Sequence, residues 1–588
     1  MTKLLPLPIL LAAGLVQIQQ PVLSAGSPAN AAETAFNKVS GEFIAGYLAW
    51  RPQIGTTLGL HEYDGKLTDY SRASLDAELA RLKRFDQQLT ALDAKSLGPQ
   101  AYYDLRILQA AIKNEIFQFE DVEGFRKNPM TYAGVLDLNI YIKRNFAPLE
   151  ERVRSIIAIE KQAPNVIAAA KANLEESLAN PFAETAIEIA NGSADFLGKD
   201  LMNAVKEVGN EPLLAEFNAA NRRAIEELRG YTAWLEKEKL PKAHRRYALG
   251  REKFQKMLRY GELIELPPEE ILDIGMRQLR REQQVFTDTA KKIDPHKKPI
   301  EVFKEIQNDH PSEERLIPDT RKDLEAIRRF VLDRRIVPIP SDVRARVEET
   351  PQYLRATSFA SMDTPGPFEA KATEAYYYVT PVEKDWSPRQ KEEWLTAFNT
   401  YTTDIVTIHE AYPGHYVQFL CLNASPATKA EKIFASYAFV EGWAHYCEQM
   451  MIDEGFGAGK DDAASTAKYR LAQSDEALLR LCRLCVSIKT HCEGMSLEDA
   501  TKFFEENCYY ERKPAYQEAL RGTFDPQYLY YTVGKLEILK LRRDYQQQEG
   551  AAFSLEKFHD ELLRHGAPPV RLLREVMLKN SAAWNEIL

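Results

Sequence analysis

Residues 409–415 of this 588-residue chain read HEAYPGH, and they follow a stretch of helical character. In an unbroken helix, His409 and His415 would point about 120° apart and lie about 9 Å apart along the axis. Pro413 interrupts helical hydrogen bonding, and Gly414 allows a backbone path that other residues resist. We therefore expect one of two outcomes: the inserted residues loop out and bring the histidines side by side, or two unrelated helices carry them.

The stretch is a lengthened form of HExxH, in which two histidines on one helical face bind a zinc ion. This reading makes His409 and His415 metal ligands and Glu410 the general base. The preceding helix favours it, because Ile405 and Ile408 belong to an apolar stripe. His409 follows Ile405 by four residues and so points toward the interior, where a polar side chain needs a partner.

A second helical segment supplies acidic partners. Glu441, His445 and Glu448 are spaced i, i+4, i+7 and share one face. A carboxylate from a following helix is a usual third zinc ligand, so Glu441 is the predicted third ligand. Glu448 is expected to orient a ligand histidine. His445 is expected to be either a packed neutral histidine or a competing ligand. The alternative for all three residues is that they form an ordinary solvated helix face.

Residues 409–415 and 441–444 together resemble the DUF885 family of bacterial exported proteins. That family is placed with the HExxH-type, gluzincin-like zinc metallopeptidases. Residues 58–61 and 531–535 resemble its early and late motifs, so the resemblance covers most of the chain. It implies a mainly α, large two-lobed helical metallopeptidase-like fold, similar to that of oligopeptidases and Taq-type carboxypeptidases, with a small β-sheet beside the active-site helix.

The same resemblance places Tyr531 and His491 near the cleft, where either would donate a hydrogen bond to the oxyanion of the reaction. Core packing is the alternative for Tyr531, and a surface position is the alternative for His491. The chain departs from the family pattern at Ser487, Lys489 and His445, where the family more often has Asp, Gly and an apolar residue. These departures affect substrate preference and leave the predicted ligands intact.

Outside these motifs, apolar residues recur every three or four positions, which predicts helices. The clearest cases are residues 71–91, 102–119, 153–178, 213–235 and 271–293. The pattern changes near residue 336, because the prolines of Ile336-Val337-Pro338-Ile339-Pro340 exclude a helix there. We predict a helical N-terminal half over residues 32–335 and a catalytic half over residues 336–588.

Residues 373–380 contain three consecutive tyrosines followed by valine, which predicts a β-strand ending at Pro381. This strand would either align an extended substrate by edge pairing or have a purely structural role. Helical character resumes at Glu392.

The N-terminus predicts export. Lys3 precedes an uncharged stretch over residues 4–16, and small residues follow at Ala29 and Ala31, as in a signal peptide over residues 1–31. The uncharged stretch is too short to span a bilayer, although an uncleaved anchor is the alternative. No cysteine lies near the cleavage point, so a lipid anchor is not expected. The predicted location is periplasmic or secreted, with no stable membrane insertion after signal cleavage.

The composition excludes other classes. A formal net charge of −10 is not that of a broadly basic nucleic-acid-binding protein, so no nucleic acid is expected as a partner. No GxSxG is present, which disfavours a serine hydrolase. All six cysteines fall within residues 421–508, and both disulfides and buried thiols fit their spacing.

The predicted function is that of a zinc-dependent hydrolase with one zinc per chain. It would cleave the peptide bonds of a peptide substrate by metal-activated water, with Glu410 as general base. One alternative is an exported helical peptide-binding protein with a non-catalytic zinc site. Another is a zinc amidase that acts on non-peptide or cell-wall amides, and Mn or Co could replace the zinc in any of these.

Overall fold

The computed structural model describes residues 31–351, 355, 358–459 and 464–588. Regular structure there is nearly all α-helical, with one three-stranded sheet, which confirms the mainly α class. The predicted signal peptide lies outside the described residues, apart from Ala31, at which the first helix begins.

The helices that precede the sheet differ widely in length, and several end in short 3₁₀ or π turns. They are α1 Ala31–Trp50, α2 Pro52–Thr57, α3 Arg72–Thr90, α4 Pro99–Phe117, α5 Gly124–Lys127, α6 Met130–Ala133, α7 Asn139–Lys143, α8 Leu149–Glu160, α9 Ala163–Asn173, α10 Asn180–Phe196, α11 Met202–Val205, α12 Glu211–Trp234, α13 Arg251–Glu262, α14 Pro268–Ile293, α15 Pro299–Ile306 and α16 Leu316–Asp333.

The three strands and the helices that follow them complete the described chain. They are β1 Arg346–Glu349, β2 Ala360–Asp363, β3 Tyr376–Val379, α17 Pro388–Ala397, α18 Thr400–Glu410, α19 His415–Ala424, α20 Lys429–Ile433, α21 Tyr437–Asp453, α22 Ser465–Cys492, α23 Leu497–Asn507, α24 Arg512–Phe524, α25 Tyr530–Glu549, α26 Leu555–Leu563 and α27 Val570–Met577.

The five helical segments predicted from periodicity are confirmed, although residues 153–178 divide between α8 and α9. Helix α14 shows the physical basis. It starts at Pro268, a residue suited to the first helical turn, and carries acidic residues near its start and lysines near its end. Ile271, Leu279 and Phe286 lie on its buried face, at the spacing of an amphipathic helix.

The sheet has the strand order β1-β3-β2, with β1 parallel and β2 antiparallel to β3. Tyr377 of β3 lies opposite Val347 on one side and Met362 on the other. The predicted strand is therefore confirmed, but its proposed edge pairing with a substrate is wrong, because β3 is the central strand and both of its edges are occupied. The edge strand next to the site helix is β2.

The largest core cluster takes side chains from both sides of residue 336, including Phe286 and Val331 before it and Ile408 and Val533 after it. The two-part division at residue 336 stays a prediction. Smaller clusters lie mainly within residues 132–235 and 36–112. All six cysteines are free thiols. In the described part of the chain, we find no helix of sufficient length and apolarity to cross a bilayer.

Candidate metal centre

The turn between α18 and α19 brings the two histidines together. Helix α18 ends at Glu410 and α19 begins at His415, so the histidines lie on separate helices. The Gly414 amide donates to the carbonyl oxygen of Ile408 at 3.0 Å. A β-carbon on residue 414 would overlap the carbonyl oxygen of His409, so only glycine fits this turn. The two imidazole rings then lie perpendicular, with centroids 4.9 Å apart.

Close packing between α21 and α25 brings Glu441 to the same place. Gly442 of α21 faces Gly534 of α25, and a β-carbon on Gly534 would overlap the carbonyl oxygen of Ala438. The glycines of the two sequence motifs therefore have a packing role, because they let the helix backbones meet. Glu441, which directly precedes Gly442, is held at this contact.

Trp443 of α21 binds the turn between α18 and α19. Its buried indole N–H donates to the carbonyl oxygens of Pro413 at 3.0 Å and Gly414 at 3.3 Å. At the start of the same helix, the carboxylate of Glu262 accepts a hydrogen bond from the amide of Ala438 at 3.1 Å. Helix α21 is thus fixed at its start and at the turn, on both sides of Glu441.

The three predicted ligands converge on one point. Oε2 of Glu441 lies 3.6 Å from Nε2 of His409 and 3.6 Å from Nε2 of His415. All three potential ligand atoms lie within 4.8 Å of one another. Two atoms that each lie roughly 2.1 Å from a tetrahedral zinc ion are about 3.4 Å apart. Oε2 of Glu441 is buried without a hydrogen-bond partner, so the residues present fit a zinc ion.

Glu448 orients His409, as the sequence predicts. Its Oε1 lies 2.7 Å from Nδ1 of His409, which turns Nε2 toward Glu441. Its Oε2 lies 2.9 Å from Nδ1 of His445. Burial and nearby Lys535 lower the pKa of His445 to about 3, so His445 is a packed neutral histidine outside the ligand cluster.

The electrostatics of the cluster favour a positive charge. Burial acts to lower the pKa of His409, but the carboxylates of Glu441 and Glu448 outweigh it and raise that pKa to about 9. Burial acts in the opposite direction on Glu441, where His409 and His415 outweigh it and hold the pKa well below its usual range. Either a proton or a metal ion between the imidazoles and the carboxylate would supply this positive charge.

Glu410 lies beside the cluster in a cavity of about 850 Å³ that His409 also lines. Its Oε2 accepts a hydrogen bond from the Met362 amide of β2 at 3.0 Å. The small sheet therefore lies beside the site helix, as predicted, and edge strand β2 holds the carboxylate of the expected base in one orientation.

Tyr531 lines the same cavity. Its ring is nearly parallel to that of His409, with centroids 6.5 Å apart. Burial and nearby Glu441 raise the pKa of Tyr531, so its hydroxyl is protonated and can donate a hydrogen bond. The structure thus places Tyr531 at the cleft, where the family resemblance puts it.

His491 is not brought to the cluster. It is 2% exposed and lines a different cavity. Its Nδ1 accepts from the amide of Leu249 at 3.1 Å, and its Nε2 donates to the carbonyl oxygen of Gly522 at 2.7 Å. Burial lowers the pKa of His491 to about 4. Neither the cleft position nor the surface position expected for His491 is observed, because both ring nitrogens bind backbone groups in the interior.

Helix α22 contributes residues to the site that none of the sequence motifs indicated. Asp475, Arg480 and Arg483 line the cavity that contains Glu410. Arg480 also lies 3.6 Å from Glu448, the carboxylate that orients His409. The available signal was the presence of two arginines within the apolar run of residues 477–486, since buried cations need partners.

The fold and the site define a mainly helical protein with a candidate metal centre of two histidines and one glutamate. The chain belongs to the DUF885 family, described as "Bacterial protein of unknown function", whose pattern matches residues 52–577. None of the curated proteins matches the chain.

Two solved structures are similar over nearly the whole chain. One is a "putative lipoprotein of unknown function" from Shewanella oneidensis, with 25% identity, a TM-score of 0.77, and coverage of 92% of this chain and 100% of that chain. The other, a "putative lipoprotein" from Colwellia psychrerythraea, has 17% identity, a TM-score of 0.74, and coverage of 94% and 98%. The second similarity concerns the fold alone.

Proposed function

We propose that this protein is a zinc-dependent hydrolase that cleaves peptide bonds, in the manner of the HExxH-type metallopeptidases. One observation carries the proposal. Nε2 of His409 and Nε2 of His415 face the same unpartnered oxygen of Glu441, and Glu410 lies beside them in a large cavity. A purely structural metal site has no need of a base at that position.

His409, His415 and Glu441 would hold one zinc ion per chain and leave a fourth position open. When bound, zinc supplies a Lewis acid and lowers the pKa of water. Glu448 would keep Nε2 of His409 directed at the ion, because its carboxylate accepts a hydrogen bond from Nδ1 of His409.

Glu410 is the proposed general base. It would accept a proton from the attacking water and pass it to the nitrogen of the leaving amine. The Met362 amide binds its Oε2, which leaves Oε1 available for the water. Holding the carboxylate in one orientation reduces the entropic cost of reaching the reactive geometry.

Tyr531 is the proposed donor to the developing oxyanion. It is protonated and lies close to His409 in the same cavity. His491 has no part in this proposal, because both of its ring nitrogens are occupied by backbone groups.

The proposed location is outside the cytoplasm. The support is the signal-like N-terminal sequence, together with the description of the two similar structures as lipoproteins. This chain has its first cysteine at Cys421, so the proposal is export without a lipid-attachment cysteine near residue 31.

The test is hydrolysis of a broad peptide library by the purified protein and by its Glu410→Gln variant, with zinc content measured for both. We expect cleavage by the wild type, loss of at least about 100-fold in the variant, and equal zinc content. Zinc without cleavage in the wild type would favour the peptide-binding or amidase alternatives. Full activity in the variant would contradict the role of Glu410.

A further inference from the structure

In the cavity beside the candidate metal centre, all the cations are paired, whereas one carboxyl group among the described residues has no partner. Each cation that lines it is paired with a carboxylate. The pairs are Lys304–Glu511 at 3.3 Å, Arg483–Glu518 at 2.8 Å, Arg521–Asp525 at 2.9 Å, and Arg480 in contact with Glu476. Glu393, also in the lining, is paired with Arg389 at 2.7 Å. No cation of the lining is left to attract an anionic substrate group.

Asp475 is this carboxyl group of the lining, and it has no partner in these pairs. It lines the cavity from α22 and is partly buried. Among the described residues, its side chain has neither a hydrogen bond nor an ion pair. Glu410, the other carboxylate outside the pairs, already accepts from the amide of Met362. A partly buried carboxyl without a partner is costly, so a ligand group that pairs with it gains the corresponding free energy.

The surroundings of Asp475 suit an organic cation. Tyr509 and Tyr510 line the same cavity, and burial together with the nearby Asp475 carboxylate raises the pKa of the Tyr510 phenol. A carboxylate beside aromatic rings binds an ammonium or guanidinium group through a charged hydrogen bond and through cation–π contact. Burial raises the pKa of Asp475 itself to about 7, with Arg480 opposing the effect, so the carboxyl group is ionised at pH 8.

We propose that Asp475 determines substrate specificity by binding a cationic nitrogen of the substrate. The nitrogen is either the free N-terminal ammonium group or the side chain of a lysine or arginine. This inference rests on the proposed peptidase function for its substrate class, since the cavity is shared with Glu410 and Tyr531. The contact is one of recognition and requires no chemical step at Asp475.

The experiment compares matched peptides at pH 8. One pair differs only in a free or an acetylated N-terminus, and the other has lysine or norleucine at one position. We expect the wild type to favour the cationic member of at least one pair by roughly 10- to 100-fold in kcat/KM, the effect of one charged hydrogen bond. The pair that shows the preference identifies the nitrogen as terminal or as a side chain.

The variant Asp475→Asn should lose most of that preference. Glu393→Gln is the matched control, because it removes one negative charge from the same cavity at a carboxylate that already has a partner. It should keep the preference. Equal treatment of both members of each pair by the wild type would overturn the proposal, as would an unchanged preference in Asp475→Asn.

A binding measurement separates this proposal from the proposed function. Calorimetric titration of the same peptides into the purified protein and into Asp475→Asn requires no cleavage. If no peptide is cleaved, the proposed function fails, yet tighter binding of the cationic peptides to the wild type alone still supports the role of Asp475. Equal binding of cationic and neutral peptides would overturn it, whatever the activity.

Discussion

Glu448 serves two histidines with one carboxylate. It is fully buried, binds His409 at 2.7 Å and His445 at 2.9 Å, and its pKa is held well below the usual range because Arg480 and the histidines outweigh burial. Its position fixes which nitrogen of His409 faces the ligand cluster. The spacing of Glu441 and Glu448 on one helical face predicted that Glu448 would orient a histidine of the site.

Replacing Glu448 by Gln should weaken zinc binding by roughly 10- to 100-fold, because the ligand histidine loses its charged partner. Competition titration against a chelating indicator measures the affinity. Glu454→Gln, just past the end of the same helix and 36% exposed, is the control and should bind zinc like the wild type. An unchanged affinity in Glu448→Gln would show that His409 does not need this partner.

Gly414 is the residue on which the histidine turn depends. A Gly414→Ala variant must move the His409 backbone, because the added methyl group would overlap its carbonyl oxygen. We expect loss of stoichiometric zinc binding, measured by elemental analysis. Gly41→Ala is the matched control, since a β-carbon at Gly41 in α1 meets nothing within 4 Å. Wild-type zinc content in Gly414→Ala would contradict this account of the turn.

The three candidate ligands could be picked out from sequence because their signals are local. His409, Glu410 and His415 fall within seven residues, and Glu441 lies on a helix with its own polar spacing. His491 and Asp475 lie on the same long helix α22. Nothing in the local sequence shows that both ring nitrogens of His491 bind backbone groups, or that Asp475 lines the cavity that contains Glu410. Only the packing of other elements against α22 determines that difference.

Among the secondary-structure elements, the helices could be predicted from their apolar periodicity. The order of the strands in the sheet could not be predicted in this way. The tyrosine-rich segment predicted strand β3, but pairing depends on β1, which precedes it by about thirty residues, and on the short β2. Neither of these four-residue strands has a distinct pattern of its own. The close contact of α21 with α25 likewise requires two glycines almost a hundred residues apart.

Helix α8 ends with a buried acid that makes stability depend on pH. Both carboxyl oxygens of Glu160 lack a hydrogen-bond partner, and burial raises its pKa to about 9. The native state therefore keeps this proton after the unfolded chain has lost it near its ordinary pKa of 4.5. The contribution of Glu160 is most favourable below that value and is lost as the pH rises toward about 9.

A Glu160→Gln variant should therefore be more stable than the wild type at pH 8, by roughly 3–5 kcal/mol, and should differ much less at pH 5. Urea unfolding at the two pH values measures the difference. Glu151→Gln, an exposed position on the same helix, should follow the wild type at both. Equal stability of Glu160→Gln and wild type at pH 8 would show that the carboxyl group has a partner in solution.

In the whole molecule, the cluster joins three helices that lie within residues 400–453 of the chain. His409 lies in the last turn of α18, His415 begins α19, and Glu441 lies on α21. A metal ion that binds the native state and not the unfolded chain stabilises by mass action. The largest core cluster includes residues from both sides of residue 336, and the division into two halves there stays a prediction.

Removal of zinc with a chelator should lower the Tm of the wild type, and added zinc should restore it. Differential scanning calorimetry measures both steps. The His415→Ala variant is the control, because it lacks one ligand and its Tm should not respond to the chelator. If the wild type is equally insensitive, the cluster does not hold a stabilising ion.

The zinc centre is tested most directly by measuring the zinc content of the purified protein and its X-ray absorption at the zinc edge. We expect one zinc per chain with nitrogen and oxygen ligands at about 2.0–2.2 Å, and loss of the ion in His409→Ala. Absence of zinc, or sulfur ligands at about 2.3 Å, would contradict it, since the free cysteines would then be the ligands.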